Sequence, residues 1–230
     1  MKSPVPAVPN PPNEHEQATV RDPLRPAGAV LLGIGVVQFV VANALVQTQY
    51  SGYSLLTNYI SDLGNTATSP WHVVFNVSIA ALGVLAFVAI LLAWTGFPRG
   101  ASRVVGLPLL LLASVAAVLV GAFPENVNPP VHDLVSLLVF APGGLALLIL
   151  SVGMGPETSW AGGRIGSALL GLVTLASLAY YIPTQSSNTT FDPGLIERLI
   201  VAPILIWGFG VAVHLSRLRM RPRFHPDATA

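Results

Sequence analysis

The chain has no cysteine, and only 9% of its 230 residues are charged. The first absence excludes disulfide frameworks, thiolate metal sites and cysteine nucleophiles. The second excludes an ordinary water-soluble globule, which carries about 25% charged residues. Short alternating apolar segments are also missing, so the strands of a transmembrane barrel are excluded. Residues 1–26 lack the basic start and short apolar core of a cleavable signal peptide. No phosphate loop or dinucleotide fingerprint occurs: Gly33 and Gly35 lie inside an apolar run, as packing glycines. A net charge of +1 gives no ground for a nucleic-acid partner.

What is present is apolar length. The composition is 53% hydrophobic, gathered into six runs near 27–48, 72–95, 104–122, 132–154, 164–182 and 195–216. Each approaches the ~20 residues of helix that a bilayer requires. Each must be helical, because a backbone in lipid has to satisfy its own hydrogen bonds. The expected fold is an all-α polytopic membrane protein, with six transmembrane helices in three hairpins. A proline-rich tail over 1–26 precedes a membrane domain over 27–216, and a basic tail covers 217–230. The composition of the first tail cannot bury a core, so it is expected to be disordered. Pro108, Pro142 and Pro203 fall inside runs, where they should free carbonyls that neighbours must satisfy.

Charge sets the direction. Lys2, Arg21, Arg25, Arg99, Arg103, Arg164, Arg217, Arg219, Arg221 and Arg223 all fall on one side of the six runs, and only Arg198 falls on the other. The positive-inside rule then places both termini in the cytoplasm of a cell with this protein in its plasma membrane. Tyr50, Tyr53, Tyr59, Trp71, Tyr180 and Tyr181 cluster at the outer boundary, and Trp94 and Trp160 at the inner one. Such rings favour headgroup levels.

The outer side collects the ionisable groups. Its acids are Asp62, Glu125, Asp133, Asp192 and Glu197, joined by His72, His132 and Arg198. Asn58, Ser61, Asn65, Asn76, Asn126, Asn128 and Ser136 lie among them. His72 and Asn76, and likewise His132 and Ser136, share a helical face at i,i+4. Asp133 and Glu197 are expected in first helical turns, where negative charge suits the helix dipole. Arg198 is expected to pair with Asp62, Asp133 or Glu125, because an unpaired arginine at that depth is costly. Asn188-Thr189-Thr190 matches the N-glycosylation pattern, which matters only in a host that glycosylates.

The stretches YISDLGNT (59–66), WHVVFN (71–76), GAFPE (121–125) with His132, and GLIERL (194–199) together resemble an uncharacterised bacterial family of multi-pass membrane proteins. That family is catalogued as a domain of unknown function. The resemblance covers roughly residues 27–216. It implies a shared six-helix architecture and supports the outer polar positions, but implies no reaction.

Several functions fit these residues. The polar cluster would lock the outer loops together in a structural, partner-binding or lipid-binding protein, with membrane lipids, a protein partner or a second copy of the chain as ligand. An alternative is a membrane enzyme acting on a lipid or isoprenoid. Its acid–base groups would come from Asp62, Glu125, Asp133 and Glu197, with Asn76 or Arg198 holding the ligand. A metal-assisted version would use His72, His132 and Asp62 or Asp133 as zinc ligands, though no HExxH spacing supports zinc. A small-solute transporter would need a polar path continuing past Gln38 or Asn43.

Overall fold

The computed structural model describes residues 24–187 and 189–218, and among them every regular element is helical. The helices are α1 (Arg25–Gln49), α2 (His72–Ala93), α3 (Ala101–Ala122), α4 (Pro129–Gly153), α5 (Arg164–Ser186) and α6 (Pro193–Arg217). Short 3-10 turns occupy Ser61–Gly64, Trp94–Gly96 and Ala161–Gly163. All six helices are long and apolar enough to cross a membrane. The chain is an all-α polytopic membrane protein. Most of the proline-rich tail with Lys2 and Arg21, the segment with Arg219, Arg221 and Arg223, and Asn188 lie outside the described residues.

Four helices, α1, α3, α4 and α6, begin two or three residues before their apolar runs. In α4 the Asn128 side chain accepts from Val131 N at 3.4 Å, and proline opens the first turn. Proline costs nothing there, since its missing N–H would have no helical acceptor. In α6, Pro193 plays the same part. The earlier starts overturn one expectation. Asp133 and Glu197 lie beyond the first turns, neither of which holds an acid, so dipole capping does not explain them. Helix α5 runs on through Pro183, and there the Thr184 hydroxyl donates to the Tyr180 and Tyr181 carbonyls at 2.8 and 3.2 Å.

Each helix packs on its sequence neighbour, and α6 returns to α1. The three hairpins therefore close into one ring, with α4 reaching α6 across the middle. Small residues permit the close approaches, as expected where lipid supplies no hydrophobic drive between helices. A Cβ on Gly28 of α1 would lie 2.7 Å from the Ala89 carbonyl of α2. Proline placement is answered across helices too. Pro203 deprives the Leu199 carbonyl of its donor, and one residue on, the fully buried Thr174 of α5 donates to the Ile200 carbonyl at 3.2 Å. Gln38 of α1 donates to the Ser78 carbonyl of α2 at 2.8 Å, so this span-one amide joins two helices.

The ring has two chemically distinct ends. Asp62, Glu125 and Asp192 lie in the connections of one, called here the acidic end. Arg25, Arg99, Arg103, Arg164 and Arg217 lie at the other, the basic end. The larger core cluster, with Leu107, Leu147, Leu150 and Leu215, fills the basic half, and a smaller one around Phe39, Leu63 and Phe75 supports the acidic end.

Candidate functional site

The acidic end is built on the connection between α1 and α2. Asp62, in the Ser61–Gly64 turn, accepts from Asn58 Nδ2 at 2.9 Å and from Tyr59 N at 3.0 Å. Its carboxylate thus closes the preceding turn. Asn76 of α2 donates to the Gly64 carbonyl at 3.0 Å, pinning the turn to the helix below. Asn65 Nδ2 donates to Glu125 at 3.2 Å, and Asn126 exchanges hydrogen bonds with Thr66 at 3.0 and 2.8 Å. The first and third helix connections are thereby tied together. Burial, helped by the neighbouring charge of Asp62, holds the Glu125 carboxyl above its ordinary range, while donors on Ser61 and Asn65 oppose the shift.

Helix α6 completes the lock. Glu197 accepts from the Ile60 backbone N–H through Oε2. The Leu195 N–H donates to the Leu56 carbonyl at 3.1 Å. Gly194 packs directly against the Asn58 carbonyl, and no Cβ would fit there. Arg198 does not pair with Asp62, Asp133 or Glu125. It donates to the carbonyls of Asn58 (3.0 Å) and Gly194 (2.8 Å) and to the Tyr53 hydroxyl (2.7 Å). Tyr53 in turn donates to the Tyr59 carbonyl at 2.8 Å. Burial pushes the Tyr53 phenol up to about 12, against the pull of Arg198. Backbone carbonyls at a loop crossing carry enough partial negative charge to receive a guanidinium fork, so no carboxylate is needed.

Beneath this lid lies a cavity of about 80 Å³. Ser61, His132, Ser136 and Glu197 form its polar wall, and Phe39, Phe75 and Val201 belong to its apolar remainder. His132 Nδ1 lies 2.8 Å from the Phe123 carbonyl. A carbonyl only accepts, so Nδ1 carries the proton, and Nε2 of the neutral ring is left as an acceptor. A second cavity of about 100 Å³ continues toward the basic end, sharing Leu82, Ala117, Val139, Ile204 and Leu205 with the first. Its walls are apolar apart from Ser114, whose hydroxyl donates to the Leu110 carbonyl at 2.7 Å.

Of the residues singled out by sequence, His132 and Glu197 meet at this cavity, with Ser61 and Ser136 beside them. Asp62, Glu125, Asn76 and Arg198 belong to the lid above. Asp133 is exposed, and His72 sits at the start of α2 with Nδ1 on the Ser69 carbonyl at 2.9 Å. Among the described residues no three His, Asp or Glu side chains, from His72, His132, Asp62 and Asp133 or elsewhere, come together as a group that could hold a metal ion. Gln38 and Asn43 do not line the first cavity, and Asn43 instead accepts from Gln47. Tyr53 is the residue that sequence reading missed. It reads as a boundary aromatic, and only the fold shows it joining Arg198 to the Tyr59 carbonyl.

Residues 33–214 match a protein family described as a protein of unknown function, DUF998. The chain belongs to the DUF998 family. The matched stretch contains the lid and every residue that lines the first cavity. No curated protein and no solved structure matches this DUF998 chain.

Proposed function

We propose that this DUF998 protein binds a neutral, hydroxyl-bearing lipid in the cavity beneath the acidic-end lid. The observation that carries the reading is the cavity's own chemistry: a polar wall at one end and an apolar continuation at the other. That is the shape of an amphiphile. The head groups available are the Glu197 carboxyl, His132 Nε2 and the hydroxyls of Ser61 and Ser136. They favour a donor such as an alcohol. No cation lines the cavity, so a phosphate or carboxylate head would meet Glu197 without compensation. The narrow apolar stretch below suits one hydrocarbon chain, such as that of an isoprenoid alcohol or a monoacylglycerol. The lid is then structural, holding the roof of the site in place.

Orientation supports a definite setting. Arg25, Arg99, Arg103, Arg164 and Arg217 lie at the end opposite the lid, which by the positive-inside rule supports a cytoplasmic basic end. The site would open from the outer leaflet of the plasma membrane.

The test is native mass spectrometry of the full chain mixed with an isoprenoid alcohol, a monoacylglycerol or a phosphatidylglycerol. The neutral lipids should be retained by the wild type and reduced about tenfold or more by Ile204→Trp, which fills the shared wall of both cavities, and by Ser136→Ala, which removes one head-group contact. Equal retention in all three proteins would overturn the proposal, as would preferential retention of phosphatidylglycerol that Ile204→Trp abolishes.

A further inference from the structure

The basic end holds a cavity of a different kind. It lies between α5 and α6, has a volume of about 370 Å³, and has Trp207 as the one lining residue in common with the narrow passage above. Leu170, Ile206 and Gly210 line its apolar side, with Ile206 and Gly210 exposed. Glycine keeps that side open: a Cβ on Gly166 or Gly210 would touch nothing within 4 Å. Its mouth carries His214 and Arg217, three residues apart on α6 and therefore on one face.

Three observations give the mouth a preference. His214 Nε2 is buried and has no hydrogen-bond partner among the described residues. The His214 ring packs on Trp160 with centroids 4.1 Å apart, and Trp160 is itself fixed by stacking on Phe97 and by donating to the Gly96 carbonyl at 3.1 Å. The ring is therefore held in place rather than turned toward a protein acceptor. Arg217 is exposed at the rim. Arg25, Arg99, Arg103 and Arg164 belong to the same end of the bundle, with Glu157 as the described acid of that end. A buried nitrogen without a partner is costly in the empty site, and a positive rim favours an anion. Leu170, Ile206 and the open glycine wall favour hydrocarbon behind it.

We propose that this α5–α6 cavity is a binding site for a phosphate-bearing lipid, with the phosphate on Arg217 and His214 Nε2 and an acyl chain along Gly166, Leu170 and Gly210. It is separate from the neutral-lipid site at the acidic end and does not rest on it. Arginine's planar fork suits phosphate oxygens, and the imidazole supplies a second donor when its proton is on Nε2.

The experiment uses the full chain in nanodiscs of phosphatidylcholine doped with phosphatidylglycerol, followed by native mass spectrometry of the released protein. A parallel arm offers inorganic phosphate without phosphatidylglycerol. Wild type should retain phosphatidylglycerol over phosphatidylcholine. Arg217→Gln, an exposed change that leaves the core intact, should reduce that retention about fivefold or more, since one arginine near an anionic headgroup contributes at least that factor. Gly210→Leu, which fills the chain-binding wall and keeps both polar groups, should reduce it as well. Unchanged retention in Arg217→Gln would overturn the proposal, as would equal retention of both phospholipids. Binding of inorganic phosphate with indifference to Gly210→Leu would also overturn it, by showing a soluble-anion site.

Discussion

Arg198 donates to three acceptors: the loop carbonyl of Asn58, the Gly194 carbonyl one turn back on its own helix, and the Tyr53 hydroxyl of the same loop. Replacing it by alanine leaves those acceptors unpaired where water is scarce. Hydrogen bonds to a charged group contribute about 1.5–3 kcal/mol, so Arg198→Ala should lower the melting temperature markedly in detergent. Arg198→Lys should recover part of the loss, because an ammonium reaches one carbonyl but cannot present a planar fork. Glu125 makes a different prediction. Burial raises its pKa above the ordinary 4.5, so the folded state prefers its proton. That contribution is complete below 4.5 and is lost as pH rises through the raised value. Melting temperatures of wild type and Glu125→Gln should therefore converge at low pH and separate as pH rises, with the variant the more stable. A difference that is flat between pH 4 and 8 would contradict this.

At the scale of helices, composition alone located the spans. A run with almost no charge has one stable form in lipid, and each run lies within four residues of its helix. The misplaced ends have local causes. Asn128 and the prolines after it start α4 before the apolar run does, and Thr184 carries α5 past Pro183. Partnership between helices was much less legible. The bond from Ile60 to Glu197 joins residues 137 apart in sequence, and no periodicity encodes it. Charge complementarity points Arg198 toward an acid, whereas the backbone carbonyls that receive it have no sequence signature. Two substitutions test the element contacts. Thr174→Val keeps the volume and removes the hydroxyl at the Pro203 bend, so it should destabilise by about 1 kcal/mol. Gly28→Ala drives a Cβ into the backbone of α2, and overpacking of this kind costs about 1–3 kcal/mol. Thermal melting in detergent checks both.

For the whole molecule, the division into an acidic and a basic end makes orientation measurable. With no native cysteine in the chain, single cysteines can be read without background. Ala67→Cys, exposed at the acidic end, should react with a membrane-impermeant maleimide on intact cells, and Glu157→Cys, exposed at the basic end, should react only after lysis. The reverse pattern would invert the proposed orientation. The lid also has a consequence for how the protein is made. Its loop, residues 50–71, leaves the ribosome early, but Glu197 and Arg198 belong to the last helix. At about 5–20 residues per second of synthesis, the 137 residues between Ile60 and Glu197 take roughly 7–27 s to translate. Through that interval five helices can be in the membrane while the loop still lacks its final ligands. Insertion of α6 is thus the event that seals the roof, and a nascent chain stalled before Pro193 should expose the 50–71 loop to protease until translation resumes.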